Sequence, residues 1–448
     1  MIKRLAWMMA ASALVSGAAF AQDAAPAPAD QGKLPETQVF AVHWQGTLVV
    51  QGHDAFHSPY QGAQSLDPGA RGAETADLTL YAGVRPWAGA ELWINPEIDQ
   101  GFGMSDTLGV AGFPSGEAYK VGAAYPYLKL PRLFLRQTID LGGERQGADA
   151  DLNVLGGSHA ADRLVLTVGK FGVPDVFDQN AYAHDPRQDF LNWALIDTGT
   201  FDYAADAWGF TYGAAAEWYK GPWAFRAGWF DLSDVPNSAT LDGTFHQYQG
   251  IAEGERRYTL AGLPGKLAVT GFVTHGRMGS FSDAIALAGQ TGQPASTALV
   301  RRMQDRAGVS LNLEQAITPD LGAFVRAGTA DGRFESFEYT DIDRTFAFGL
   351  SQGGRPWGRE GDRVGAAVAL DEASSQRQAY LAAGGLGILV GDGRLPHPGA
   401  ETVLETYYNL ELVKGLHATV DYQFVDNPAY NRDRGPVSVL AVRLHAQY

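Results

Sequence analysis

The chain contains no cysteine. Disulfide staples, thiolate metal ligands and a lipidated N-terminal cysteine are therefore excluded. Basic residues are scarce: 34 Lys and Arg stand against 50 Asp and Glu, a formal net charge of −16. So acidic a protein is not drawn over long range to nucleic acid or anionic headgroups, and no nucleic-acid partner is expected. Long apolar runs are missing too. Beyond residues 5–20 no stretch can cross a bilayer as a helix, and the mean hydropathy is only −0.16.

What is present begins with a leader. Lys3 and Arg4 precede the apolar stretch 5–20, which is broken only by Ser12, Ser16 and Gly17. Ala19-Phe20-Ala21 then places small residues at the two positions a signal peptidase reads. The pattern predicts a signal peptide over 1–21, cleaved before Gln22, and hence an exported protein. An Ala/Pro-rich stretch follows, predicting a flexible periplasmic lead-in over 22–38. The remainder, 39–448, reads as one domain. With 55 Gly, 10 Trp, 18 Tyr and 22 Phe, its composition fits a transmembrane barrel, in which only every second residue meets lipid.

Alternation along the chain supports that class. From Trp208 to Trp218 one face carries Trp208, Phe210, Tyr212, Ala214, Ala216 and Trp218, and the other Gly209, Thr211, Gly213, Ala215 and Glu217. Aromatics at both ends of one face suit two interfacial belts. A tight Lys220-Gly221-Pro222 turn leads to Trp223, Phe225, Ala227 and Trp229 outward, with Arg226 inward. The last strand sets Leu440, Val442, Leu444, Ala446 and Tyr448 against Arg443, His445 and Gln447. Such an aromatic terminus resembles the signal read by the barrel assembly machinery. The expected fold is an all-β, antiparallel transmembrane barrel of about sixteen strands, from 40–51 to 436–448, including 128–140, 163–172 and 206–219. Short periplasmic turns interleave with long outer loops at 52–73, 99–127, 173–205, 277–303 and 371–400, which puts both termini in the periplasm. Turns near 142–162 and 352–359 are longer than the rule prefers. Segments 282–288 and 376–383 look helical.

Motifs for chemistry are weak. Asp149, Asp151 and Asn153 have calcium-loop spacing, but Val154 stands where the loop needs glycine. Gly385, Gly387 and Gly391 lack the spacing and preceding strand of a dinucleotide site. No Gly-x-Ser-x-Gly elbow or metalloprotease His pair occurs, so no catalytic residue, cofactor or metal is expected. What recurs is charge at inward positions: Arg136, Arg226, Arg326 and Arg443, with Glu91, Asn95, Glu217, Asn312, Glu405 and Asp421. Either these only wet a lumen that is polar by default, or some build a constriction. A sugar would need forked donors and acceptors plus flat faces, which Trp93, Phe134 and Trp193 could supply.

The segment Lys170 to Asn192 (KFGVPDVFDQNAYAHDPRQDFLN) extends this reading, together with Leu135-Arg136-Gln137-Thr138, Phe201 to Asp206, Asp421-Tyr422-Gln423 and Asn427-Pro428. These stretches resemble the carbohydrate-selective porin (OprB) family over nearly the whole mature chain. The resemblance implies sixteen strands, passive uptake of glucose or similar sugars, and an Asp/Asn-rich segment folded inward. It also implies Arg136, Asp175, Asp178, Asn180, Asp185 and Arg187 as pore-narrowing residues. Arg226, Arg326, Glu91 and Trp93 join them as candidate contacts from lumen parity. Pro174 and the acidic stretch after Gly143 depart from the family pattern. Expected partners are sugars, outer-membrane lipid and lipopolysaccharide, and the assembly machinery through Tyr448; a monomer is expected rather than a trimer. A general cation-preferring porin, an outer-membrane hydrolase and a plugged adhesive barrel stay open as alternatives.

Overall fold

The structure, a computed structural model, describes residues 34–118 and 122–448. The signal peptide expected over 1–21 and most of the lead-in lie outside the described residues. Strands β1 (Phe40–His53), β2 (Arg71–Val84), β3 (Ala90–Gly101), β4 (Ala123–Ala148) and β5 (Gly157–Phe171) come first. Next are β6 (Thr211–Lys220), β7 (Trp223–Asp231), β8 (Tyr248–Leu260), β9 (Leu263–Met278) and β10 (Arg302–Ala316). The set ends with β11 (Leu321–Ala330), β12 (Arg344–Gly353), β13 (Arg363–Glu372), β14 (Glu401–Val413), β15 (Leu416–Asp426) and β16 (Val437–Gln447). Each pairs antiparallel with its sequence neighbours, and β1 pairs with β16 from Gln45↔Gln447 to His53↔Val439, closing the barrel. Closure leaves no unpaired edge, as hydrocarbon requires.

The two-residue period decides which side chains face where. Outward positions carry Leu78, Leu80, Trp223, Phe225, Trp229, Val420 and Leu440, all exposed. Inward positions carry Arg226, Asn312, Arg326, Asp421 and Arg443, all buried. An apolar exterior around a polar interior is the inverse of a water-soluble protein, and it marks the outside as lipid-facing. Aromatic girdles form where expected: Trp223 stacks with Phe225, and Trp229 stacks on Tyr248 at 3.9 Å. No described helix is long and apolar enough to cross a membrane.

Three sequence expectations change. The strand expected over 206–219 begins only at Thr211. Trp208 and Phe210 do not face lipid but line an internal cavity. The cause is local: Gly209 adopts φ +99°, and the Asp206 carboxylate accepts hydrogen bonds from the backbone N–H groups of Trp208 and Phe210. A left-handed residue breaks the alternation, and glycine adopts it without steric cost. Second, the turn expected near 142–162 is mostly strand, because β4 and β5 run well past 128–140 and 163–172 and leave only 149–156 between them. Third, the outer loop expected over 99–127 is shortened by β3 and β4 to 102–122. The helices at Phe281–Thr291 and Ser375–Ala382 match expectation, each capped by a serine (Ser280, Ser374) that accepts an N–H from the first turn.

The lumen is largely filled. Residues 172–210 leave β5 and fold into the barrel, pinned by aromatic contacts. Phe177 meets Phe230 edge-on at 6.1 Å, and Phe190 meets Phe324 at 5.7 Å and Tyr407 at 5.0 Å. Gly365 makes room for this packing, since a Cβ there would lie 2.3 Å from the Tyr407 ring. Residues 102–118 also dip inward, where Glu401 accepts the N–H groups of Ala111 and Gly112.

Candidate pore constriction

What the inward segments leave open is a cavity of about 330 Å³ between residues 172–210 and the wall of β1–β4. Most of its charged lining comes from two sources. The wall contributes Glu97, Lys129 and Arg132, and the inward segments contribute Glu117, Asp175, Asp185 and Arg187. Arg132 grips Asp175 with a fork of two bonds, Nε to Oδ2 at 2.7 Å and Nη2 to Oδ1 at 2.6 Å. Lys129 lies between Glu97 at 3.2 Å and Asp99 at 3.0 Å. Arg187 lies 3.5 Å from Glu117 and 3.7 Å from Asp77. The Arg187 side chain nonetheless keeps part of its surface open and lines the cavity. Burial opposes the Arg187 charge, but Glu117, Asp77 and Asp185 outweigh it and hold the guanidinium well above the usual range.

Aromatic rings make up the rest. Trp193 stacks on Phe113 at 5.5 Å, and Tyr203, Trp208 and Phe210 line the same cavity. The Trp208 indole donates to the Tyr127 hydroxyl at 2.9 Å, which fixes the ring plane. Arg132 lies 4.7 Å from the Phe210 ring centre, within cation–π range. Nearby, Asp197 is pushed up to about 7, first by burial and then by the charge of Asp178, against the pull of Arg326. Forked charges and apolar faces thus meet in one water-accessible space.

The candidates from sequence divide by position. Asp175, Asp185 and Arg187 line the cavity. Arg136 lies four residues beyond Arg132 along β4 toward the periplasm, partly exposed, where it donates to the Asn153 carbonyl at 2.8 Å and pairs with Glu91 at 3.5 Å. Glu91 also takes the Trp93 indole N–H at 3.2 Å; Trp93 itself is fully buried over Gly83. Asp178, Asn180 and Arg326 hold the inward segment to the wall. Asp178 accepts from Thr198 and from Asn312, and Asn180 donates to Asn312 at 2.7 Å. Arg326 donates to the carbonyls of Ala183 at 2.7 Å and Leu195 at 2.6 Å. Arg226 is consumed by Glu217, Glu253 and Glu255 within the wall.

Lining residues that escaped the sequence reading include Lys129, Arg132, Glu97, Glu117 and Asp197. Parity could have found Arg132, which shares a strand face with Arg136. Glu117 could not have been found so, because it lies on an irregular segment without a period.

A closed barrel with a lipid-facing exterior and a narrowed, charged lumen has the build of an outer-membrane diffusion channel. The carbohydrate-selective porin, OprB family, matches residues 63–448, and the chain belongs to that family. It is a carbohydrate-selective porin of the outer membrane. Among solved structures, the high-pH structure of Pseudomonas putida OprB superposes with a TM-score of 0.68 at 14% identity, covering 92% of this chain and 94% of that one. The low-pH structure of the same protein gives 0.50 at 11% identity, over 92% and 93%. Comparison with curated proteins finds no match.

Proposed function

We propose that the cavity between residues 172–210 and β1–β4 is where glucose or a similar neutral sugar makes its contacts in transit. The observation that carries this is the joining of ion pairs and flat rings in one cavity of about 330 Å³. A hexose has polar edges and apolar faces. Arg187, Arg132, Asp175 and Asp185 would take the hydroxyls, and Trp193, Trp208 and Phe210 the faces. The arrangement needs no energy input, no cofactor and no covalent step. Contacts must be weak, since a tight site would stop flux. Arg136 and Glu91 would lie next on the path. Asp178, Asn180, Arg226, Arg326 and Trp93 would act by holding the shape of the opening. Single-channel recording tests the reading: glucose should lower ion current in a concentration-dependent way, and a sugar panel in liposome swelling should rank hexoses above larger sugars. Current that responds only to ion valence would instead support a general cation-preferring porin.

Three finer expectations belong here. The leader 1–21 is cleaved before Gln22, which N-terminal sequencing of the mature protein would read. Assembly depends on the C-terminal strand ending in Tyr448. The barrel works as one copy, because exposed apolar side chains occur alike on β2, β7, β12 and β15, leaving lipid and lipopolysaccharide as its neighbours; mass measurement in detergent checks this.

A further inference from the structure

The long turn that departs from the short-turn rule has a specific geometry. Beyond Ile139, β4 and β5 continue past their neighbours as a two-stranded hairpin whose β4 strand is exposed and whose β5 strand is half-buried. Gly142 at φ +129° and Gly143 at φ +86° coincide with register shifts between Asp140 and Arg145, and the hairpin bends there. Its tip then turns back into the periplasmic mouth. A tight turn pairs Asp151 with Val154, and Asn153 takes the left-handed φ of +57°. The tip is tied on several sides. Asn95 donates to the Asn153 side chain at 2.9 Å, and Arg136 to its carbonyl at 2.8 Å. The Gln38 backbone and side chain clasp Gly156 at 2.9 Å each, and Leu155 is buried. Gln447 reaches both Asp151 in the tip and Gln188 in the inward segment, each at 3.4 Å. As a result Leu152 and Asn153, which belong to a periplasmic turn, line the same cavity as Arg132 and Arg187.

We propose that this inturned tip, residues 149–156, is the periplasmic half of the constriction, and that Leu152 and Asn153 set the upper size of the sugar that leaves the pore. Two walls of different origin then bound the path: the outer segment 172–210 above and the hairpin tip below. The tip adds an apolar surface (Leu152) beside an amide (Asn153), the same mix of contacts found higher in the cavity. The proposal rests on the sugar-conducting reading for its substrate but not for its geometry.

The absence of cysteine makes the test direct. Leu152→Cys places one thiol in the path, and a hexose-sized methanethiosulfonate reagent added to single channels should lower current stepwise by roughly twofold or more, since narrow constrictions dominate conduction. A Val420→Cys channel, labelled on the lipid face, should not respond. In a second variant residues 149–156 are replaced by the two-residue turn Asn-Gly, which suits a hairpin. Liposome swelling should then show the disaccharide-to-glucose rate ratio rising several-fold. Unchanged current after complete labelling of Leu152→Cys overturns the proposal, as does an unchanged ratio in a shortened barrel that still folds. If the shortened barrel does not fold, the thiol result decides alone. A parent channel that conducts ions but admits no sugar would overturn the sugar reading, while the thiol arm would still locate the tip.

Discussion

Arg187 shows how a single side chain can be held in place yet left available. Carboxylates of Glu117 and Asp77 flank it, and its side chain still keeps 21% of its surface open. Replacing it should remove a donor from the path without removing any strand pairing. Arg187→Ala is expected to weaken glucose block several-fold and raise ion current; unchanged block would exclude the residue from the path. Arg326 is the opposite case. It is fully buried, and all its strong bonds go to the inward segment. Arg326→Ala leaves the Ala183 and Leu195 carbonyls without this donor and Asp178 without its buried counter-charge, at a cost of about 3 kcal/mol. The segment rather than the barrel should loosen, read as protease cleavage within 172–210 and a wider, noisier channel. Asp197 predicts a pH dependence. Because its carboxyl titrates near 7, it is charged above that pH and neutral below. The cation-to-anion permeability ratio should fall as pH drops from about 8 to about 6, and Asp197→Asn should flatten that dependence.

At the scale of the element, the barrel strands obey one simple rule while the inward segments obey none. The lipid face carries charge only near the strand ends, as at Asp305, Arg344 and Glu372, because the cost of charge rises toward the bilayer midplane. Val420, in the middle of β15, is 62% exposed to lipid, and Val420→Arg should cost about 3 kcal/mol of barrel stability; denaturant unfolding in bilayers would measure it. The closing strand is held by reciprocal backbone bonds between Trp44 and Tyr448 at 3.0 and 2.9 Å. Deleting Tyr448 removes both bonds and the terminal aromatic, and the yield of heat-modifiable folded barrel should fall. The β4–β5 hairpin departs from the short-turn rule, and glycines at its bend redirect it into the mouth.

For the whole molecule, the formal net charge of −16 has little to do with conduction by itself. Part of this acidic surplus is held in groups where one arginine faces two carboxylates, such as Arg226 with Glu253 and Glu255, or Arg377 with Asp341 and Asp343. What matters is how charge is distributed around a narrow opening. The barrel supplies a rigid frame whose diameter follows from strand number, and two inward segments with one inturned tip reduce it to the dimensions of a small solute. A channel built this way can change its selectivity by changing loops while its wall stays the same.

The sequence by itself determined the barrel. Sixteen alternating segments, aromatic ends and the Tyr448 terminus are local signals, because the two-residue period of a strand turns side-chain order directly into facing. It also pointed to Asp175, Asp185 and Arg187, through a resemblance carried by the block Lys170–Asn192. Only the tertiary structure decided which polar residues stand in the path and which hold the walls. Parity gives the same answer for Arg132, which lines the cavity, and Arg226, which is consumed by three glutamates. Nor could alternation place Glu117, Trp208 or Asn153, since each sits where a left-handed residue or an irregular segment breaks the period. Their positions are set by long-range contacts across the closed lumen, which no local pattern records.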